Sequence, residues 1–488
     1  MDESRKKAIL RNLINSLETG GEKDRLYAID ELVEMPHPDS IPVLVRSLAD
    51  ANETIRDKAA QLLPEIDPEW ERSAAVEESV PFLVRLLGAN SKERSRLASR
   101  LLLRFQAVSL PALLAGLEAS EDADFQWKAL HILRQMTIDT SAAVPALIQL
   151  LARENTTVKE ACIQALAEAD PQSLQISEAI GRELGHPQSP VRLAAAEALG
   201  KFEAISLSTI QALVRSLLDG EAKVRTAAAE ALIQIGATAM PDLLHLIGER
   251  RELRKLRLLE LQKTKGSLFK GVNWDAFVME PYKANQNISW HFKDALDALR
   301  QVEAGLAEGI RVVAQIGGES LEAVSALQEA LTDDNPTVRM AAVKALGTLG
   351  PAAEDSTADL LRQFEQANPN DLEAIVRSLN QVDPNWATTE QARPFLQYLI
   401  NCLASNERKV SAILALRSID RQVVDYLIQQ LDSKDRIIRK EIVMLLGVLG
   451  ENARAALPFL NKLAAEDGNR LIREASQDAI RQIEPGEE

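Results

Sequence analysis

Histidines, cysteines and paired carboxylates are the residues of this chain that could do chemistry, and their spacing argues against it. No phosphate-binding loop, dinucleotide-binding glycine motif or nucleophile-elbow motif occurs in the sequence. Acidic pairs such as Asp333-Asp334 fall at turns before predicted helices, where helix capping explains them. None of the five histidines has a second histidine or a cysteine at metal-ligand spacing: His37, His131, His186, His245 and His291. The sequence therefore predicts that the protein is not an enzyme and uses no metal or cofactor.

The two cysteines also lack a reactive context. Cys162 and Cys402 both occupy small-residue positions inside helical patterns, VKEACIQAL and LINCLAS. A lone cysteine in such a position is typically a small buried side chain. Two isolated cysteines give no disulfide framework and no zinc site.

The segment 249–292 contains the densest group of residues suited to binding a partner. Its first half is rich in arginine and lysine, and six aromatic residues follow within 24 positions. Arginine and aromatic side chains dominate the energetics of protein interfaces, and insertions in repeat arrays often carry the binding site. The residues predicted to bind a partner are Arg250, Arg251, Arg254, Lys255, Arg257, Phe269, Trp274, Phe277, Tyr282, Trp290 and His291.

Two other interpretations of this segment stay open. In the first, the aromatic residues fold back as a plug or a cap between two half-arrays, and the basic helix is solvated. In the second, the basic and aromatic residues together bind a single strand of nucleic acid. The long helix that follows, from about Lys293 to Ile316, restores the regular pattern.

Composition indicates which type of secondary structure positions this segment. The chain has 488 residues, 46% of them hydrophobic and only 4% aromatic, which favours closely packed helices over sheets. The formal net charge of −16 argues against nucleic acid or anionic lipid as the main partner. The N-terminus lacks the apolar core of a signal peptide, and no window reaches the ~18 uncharged apolar residues needed to span a bilayer. We expect a cytoplasmic protein without membrane insertion.

One phrase recurs along the chain and predicts its architecture. A β-branched residue and a basic residue are followed by small residues and Ala-Leu, as in NPTVRMAAVKALGTLG. The copies at 158, 191 and 224 and those at 438 and 472 lie 33 or 34 residues apart, and the intervals of 103 and 100 residues before 158 and 438 correspond to about three such units. Each copy follows a helical segment that proline often opens, such as VPALIQLL. Gly347 and Gly350 are expected to end a helix. The phrase occurs at Ile55-Arg56, Val158-Lys159, Val191-Arg192, Val224-Arg225, Val338-Arg339, Ile438-Arg439 and Ile472-Arg473, with degenerate copies near Arg94 and Gln126.

These residues resemble the HEAT-repeat family over nearly the whole chain, with about 13 helix pairs. The resemblance implies an all-α fold, an α-α superhelix (HEAT-repeat solenoid) with one irregular insertion, whose second helices line a concave face. It predicts an N-terminal array over 1–248, the insertion over 249–292 and a C-terminal array over 293–488. It also implies that the basic residue of each phrase pairs with an acidic residue of a neighbouring turn.

A second pair of phrases is expected to be structural. Asp67-Pro68-Glu69-Trp70 and Asp383-Pro384-Asn385-Trp386 each follow a second helix and precede a Pro-led first helix. Each tryptophan is predicted to cap a longer inter-repeat loop by packing over helix ends.

Three functions are compatible with these observations. The first is a scaffold or adaptor that binds one or more proteins through the concave face and segment 249–292. The second follows from the repeats' similarity to bacterial HEAT arrays, including phycobilin lyase subunits and phycobilisome-degradation factors of cyanobacteria, and would involve a bilin chromophore. The third is nucleic-acid binding by a HEAT-like fold, against which the acidic composition argues.

Overall fold

The chain was analysed as a computed structural model, and the structure describes residues 3–153, 155–250 and 290–484. Every regular element in these ranges is helical, and they contain no β-strand, which agrees with the predicted all-α class. The helices form two compact units, Met1–Ala212 and Leu213–Glu488.

The N-terminal unit stacks first and second helices in alternation. Successive second helices contact one another, as Ala123–Gln135 does with Thr156–Ala169 and the latter with Ser189–Leu199. The α-helices of this unit are Glu3–Thr19, Glu22–Glu34, Ile41–Ser47, Glu53–Ile66, Ala74–Leu87, Lys92–Ala119, Ala123–Gln135, Val144–Leu151, Thr156–Ala169, Leu174–Glu183, Ser189–Leu199 and Leu207–Ser216, whose end belongs to the next unit.

The C-terminal unit repeats this arrangement. Second helices again pack in sequence, from Ala222–Ile235 to Trp290–Ile316 and on to Pro336–Leu349. Its α-helices are Ala222–Ile235, 240–250, Trp290–Ile316, Leu321–Ala330, Pro336–Leu349, Thr357–Arg362, Leu372–Val382, Arg393–Cys402, Lys409–Ile419, Val424–Gln429, Arg436–Leu449, Leu457–Glu466 and Arg470–Ile483.

Small residues on the second helices allow the close packing. Ala195, Ala228 and Ala342 are fully buried at equivalent places in their phrases. Gly347 lies inside helix Pro336–Leu349 rather than at its end, and a Cβ there would come within 2.9 Å of the Ser378 Cα on the next second helix. The prediction for Gly347 was therefore wrong. The prediction for Gly350, which follows the helix, is confirmed.

The basic residue of each phrase closes the turn of its own repeat. Arg339 Nη1 donates to the carbonyl oxygens of Asp333 (2.8 Å) and Asp334 (2.9 Å), six and five residues earlier. The expected pairing with an acidic residue of a neighbouring repeat is present for Arg439, whose Nε donates to Asp467 Oδ2 at 3.3 Å, and for Arg56, whose Nη2 lies 3.5 Å from Glu93 Oε1. The residues that bond the carbonyl six positions back are Arg56, Gln126, Arg192, Arg225, Arg339, Arg439 and Arg473.

Lys159 departs from this pattern. It is buried, and its Nζ donates to the Leu151 carbonyl at 2.6 Å and to Glu183 Oε2 at 3.0 Å. A buried cation requires such partners, because desolvation of an unpaired charge costs several kcal/mol.

Two kinds of connection between repeats recur in the structure. In the first, the residue after the second helix has a positive φ near 60–75°, as at Gly236, Gly350 and Gly450. Asp420 occupies the same place with φ 58° and ψ −132°, a backbone region that favours glycine. Gln106 also has a positive φ, 29°, between the two helical parts of Lys92–Ala119.

The second kind of connection starts with Asp-Pro. The side chains of Asp67, Asp170 and Asp383 each accept a hydrogen bond from the backbone N–H two residues later, which turns the chain without positive φ.

The predicted capping tryptophans lie in these Asp-Pro connections. Trp70 is buried edge-on against Phe105, with ring centroids 6.0 Å apart. Trp386 is fully buried, and its Nε1 donates to Asn380 Oδ1 at 2.8 Å. The structural interpretation of both tryptophans is confirmed.

The cysteines are buried as predicted. Cys162 Sγ donates to the Leu147 carbonyl at 3.0 Å, and burial raises the pKa of its thiol to about 12. The thiol is therefore protonated at neutral pH.

The segment that interrupts the pattern lies within a single repeat. Helix 240–250 is the first helix of that repeat, and Trp290–Ile316 takes the place of its second helix. Gly305 of the latter packs against the Leu217 carbonyl, and Gln301 Nε2 donates to Leu218 O. Residues 251–289 lie between these two helices in the sequence and are outside the described residues. The division into 1–248, 249–292 and 293–488 stays a prediction.

Three stretches are long and apolar enough to cross a membrane by length and composition. Each stretch contains the second helix of one repeat and the first helix of the next. A residue of positive φ separates the two helices, namely Gln106, Gly236 or Gly450. The expectation of no membrane insertion stays a prediction. The three stretches are Lys92–Ala119, Ala222–Arg250 and Arg436–Glu466.

Candidate protein-binding surface

The second helices present one side to solvent at fixed positions of the phrase. In Pro336–Leu349 these are Met340, Lys344 and Thr348, which follow the β-branched residue by two, six and ten positions. They line a groove of about 530 Å³ together with Arg311 of the preceding second helix. We call these positions the second-helix face.

Near the C-terminus, the second-helix face of Lys409–Ile419 and Arg436–Leu449 is largely apolar, and further aliphatic side chains lie one residue before the β-branched position on Arg436–Leu449 and Arg470–Ile483. Large aliphatic side chains that are 40–66% exposed occur on Lys409–Ile419, Arg436–Leu449 and Arg470–Ile483. Polar residues such as Arg377 and Gln381 hold the corresponding positions on Leu372–Val382. The apolar surface consists of Val410, Leu414, Ile437, Met444, Val448 and Leu471.

Local contacts hold these three helices in register. Asp435 caps helix Arg436–Leu449 by accepting from the Ile437 N–H at 2.8 Å. Glu441 of the same helix pairs with Lys409 at 2.6 Å, across the interface with the preceding second helix. Asp467 pairs with Arg439 at 3.3 Å, before the last second helix begins. The apolar surface is therefore presented by a preorganised backbone, which lowers the entropic cost of binding.

The apolar surface exposes an unusual number of large aliphatic side chains to solvent. Six aliphatic side chains on successive helices are 40–66% exposed, and apolar surface concentrated in this way often marks an interaction site. Lys440 lies between Ile437 and Met444 along the same helix and adds one cation to the centre.

The residues predicted from the sequence lie mostly outside the described part of the chain. Arg250 is half-buried at the last described position of helix 240–250, and Trp290 and His291 begin helix Trp290–Ile316. Their role in binding stays a prediction. The residues outside the described ranges are Arg251, Arg254, Lys255, Arg257, Phe269, Trp274, Phe277 and Tyr282.

Sequence reasoning missed the apolar surface, although its signal is present. The phrase copies at 408–419 and 436–449 carry large aliphatic residues at positions where earlier copies mostly carry polar residues, such as Gln164, Glu230 and Lys344. Comparing the variable positions of the copies, rather than their shared ones, would have found it.

No cluster of three or more His, Cys, Asp or Glu residues suited to a metal ion occurs in the residues that the structure describes. Several acidic side chains in this part of the chain cap helices or form ion pairs, as Asp435 and Glu441 do.

Comparison with known proteins agrees with the fold. A family model described as HEAT repeats matches residues 110–179, 177–261, 292–380 and 392–481, more than half of the chain. No curated protein sequence matches the chain.

Solved structures of the karyopherin Kap121p have a similar fold. The complex with the extreme C-terminus of the protein phosphatase Cdc14p has a TM-score of 0.54 at 16% identity and covers 99% of this chain and 53% of its own. The complex with Pho4p has a TM-score of 0.55 at 15% identity, with coverage of 98% and 53%. The chain thus spans about half the length of these proteins. The predicted α-α superhelix is confirmed.

Proposed function

Because the chain belongs to the HEAT-repeat family, we propose that it is a protein-binding scaffold that holds a partner on the apolar surface of its second-helix face. The observation that supports this proposal most directly is the exposure of six large aliphatic side chains on three successive second helices. Segment 249–292, with its basic and aromatic residues, is proposed as a second docking element. We also propose a cytoplasmic location.

The chemistry of the surface indicates what kind of segment would bind there. Ile437, Met444 and Val448 follow one another at helical spacing, so they offer a stripe about 16 Å long. Neighbouring helices lie 8–10 Å apart, which leaves shallow grooves beside the stripe. An amphipathic helix of a partner would place its apolar side in such a groove.

Charge reversal on the apolar surface provides the test. The double variant Leu414→Glu with Met444→Glu introduces charges without breaking the helices, since glutamate is a good helix former. The matched control is Leu321→Glu, because Leu321 is also exposed but begins a first helix. Partners captured by the intact chain would be identified, purified and titrated against all three proteins.

We expect the double variant to weaken partner binding at least tenfold, because each buried aliphatic side chain contributes about 1.5–3 kcal/mol. The control should bind like the intact chain, and circular dichroism should show equal helicity in all three. Equal affinity of the double variant and the intact chain would refute the role of the apolar surface.

A further variant tests the role of segment 249–292. A short Gly/Ser linker in place of residues 251–289 keeps all described residues of the first and second helices of that repeat. Loss of a partner would support the segment as a docking element. Unchanged binding of every partner would overturn that role.

The two alternative functions have separate tests. Co-purified colour would favour the bilin-handling alternative, and salt-sensitive retention on heparin would favour nucleic-acid binding. A colourless protein without heparin retention would support the scaffold.

A further inference from the structure

A row of cationic side chains lies on the second-helix face of the N-terminal unit. Arg96, Arg100 and Arg104 follow at four-residue spacing on helix Lys92–Ala119, and all three are exposed. Arg104 is paired with Glu71 and lies over the Trp70 ring, 5.4 Å from its centroid. Within the described part of the chain, Arg96 and Arg100 form no ion pair or hydrogen bond. Like charges at this spacing destabilise a helix slightly, so their presence is not explained by stability.

An exposed aromatic platform faces this row across a groove. Trp127 on the next second helix is 43% exposed and stacks on His131, with centroids 5.4 Å apart and planes 5° from parallel. The amide Nε2 of Gln135 donates to His131 Nε2 at 2.6 Å and holds that ring in place. A groove of about 900 Å³ is lined by these residues and by Arg96 and Arg100.

Two carboxylates limit what the groove can accept. Asp122 and Asp124 lie at its edge, where Asp122 accepts from the Asp124 N–H at 3.0 Å. Lys128 is neutralised by Asp124 at 2.6 Å and donates to the Leu87 carbonyl. A continuous phosphate backbone would be repelled by the two carboxylates, whereas a short segment with one or two acidic groups could avoid them.

We propose that this groove binds a short acidic segment of a partner protein, with its carboxylates on Arg96 and Arg100 and an aromatic side chain on Trp127. An arginine can hold a carboxylate through two parallel hydrogen bonds, and a tryptophan face offers a large area for stacking. The site lies in the N-terminal unit and shares no residue with the apolar surface, so it goes beyond the function proposed above.

The spacing of the groove residues defines the segment further. Arg96 and Arg100 are separated by about 6 Å along the helix axis, which matches two residues of an extended peptide at about 3.3 Å per residue. The neighbouring helix is about 8–10 Å away, or about three extended residues. The segment should therefore read acidic, any, acidic, any, any, aromatic.

A synthetic peptide with this pattern provides the test. Fluorescein-labelled EAEAAF would be titrated with the full chain and followed by fluorescence anisotropy, beside the control peptides QAQAAF and EAEAAS. Protein variants would be Arg96→Glu with Arg100→Glu, the milder Arg100→Ala, Trp127→Ala, and Arg85→Glu as the matched control. Arg85 is exposed in the same repeat but lies on the first helix, Ala74–Leu87.

We expect EAEAAF to bind in a salt-dependent manner and both control peptides to bind at least fivefold more weakly. The double charge reversal should weaken binding at least tenfold and Trp127→Ala at least fivefold, while Arg85→Glu binds like the intact chain. Absence of saturable binding, or equal binding by the double variant, would overturn the proposal. So would a labelled oligothymidine that binds more tightly than EAEAAF and loses its affinity in the double variant, because nucleic acid would then be the occupant.

The peptide titration and the partner capture described above probe separate residues. Failure of one therefore leaves the other interpretable.

Discussion

Replacing Asp420 by glycine should stabilise the C-terminal unit. Asp420 has φ 58° and ψ −132°, and the three glycines at equivalent connections have nearly the same backbone angles. An aspartate in this region carries strain of about 1–3 kcal/mol, because its Cβ crowds the backbone. Glycine removes that strain.

Two terms oppose the gain and determine its size. A glycine increases the entropy of the unfolded chain, which costs about 0.4–1 kcal/mol. The hydrogen bond that Asp420 Oδ1 accepts from Asn452 Nδ2 at 2.8 Å is also lost, and as an exposed bond it contributes about 0.5 kcal/mol. The net expectation for Asp420→Gly is a gain of about 1 kcal/mol.

The reciprocal change supplies the control. A Cβ on Gly450 would meet no atom within 4 Å, so Gly450→Ala introduces the backbone strain without a steric clash. We expect it to cost about 1–2 kcal/mol. The variant Asn452→Ala separates the hydrogen bond from the backbone effect.

Hydrogen exchange is the suitable assay, because long repeat arrays need not unfold in a single two-state step. A gain of 1 kcal/mol should slow exchange of the amides in Lys409–Ile419 and Arg436–Leu449 about fivefold. If Asp420→Gly speeds exchange, or if Gly450→Ala leaves it unchanged, the assignment of strain to this position is refuted.

Two further predictions concern buried groups of the N-terminal unit. The Cys162 thiol should resist iodoacetamide at pH 8 in the native protein and react on unfolding, as followed by mass spectrometry; a cysteine that reacts equally in both states would contradict its burial. Because folding raises the pKa of this thiol from 9.0 to about 12, its contribution to stability is complete below pH 9 and is lost as the pH rises toward 12, so Cys162→Ala should flatten that part of the stability profile. Glu183→Gln should lower the free energy of unfolding by about 3 kcal/mol, since it leaves Lys159 charged and buried, whereas Lys159→Met with Glu183→Leu should restore much of it in urea denaturation. Equal loss in the single and double variants would refute the ion-pair argument.

The architecture was predictable from the sequence because its signals repeat. The phrase at Val338-Arg339 combines a β-branched residue, a basic residue and small residues at helical spacing, and each copy reinforces the others. Asn335, before this phrase, caps its helix by accepting from the Thr337 N–H at 2.7 Å. The Asp-Pro connections with Trp70 and Trp386 were predicted for the same reason, since they occur twice.

The residues that sequence reasoning missed lie in the degenerate copies. Gln106 and Asp420 follow the second helices of copies that lack the Val-Arg pair. Without that pair the copies cannot be aligned from sequence alone, so the positive φ of these two residues could not be predicted. Leu414 and Met444 resemble core residues in a helical pattern, and only the packing shows that they face solvent. Arg96 and Arg100 appear as ordinary surface charges until Trp127 is placed across the groove.

The bond between each arginine and the turn of its own repeat has a consequence for inheritance. A duplicated stretch of about one repeat would bring both the turn carbonyls and the side chain that closes them, so the copy needs a neighbour only for its helix faces. Gly347 and Gly350 are matched one hundred residues later by Gly447 and Gly450, in the same conformations. Duplication of a block of three repeats during evolution would produce this correspondence. Arrays of this kind can gain or lose members by whole helix pairs while the remaining turns stay closed.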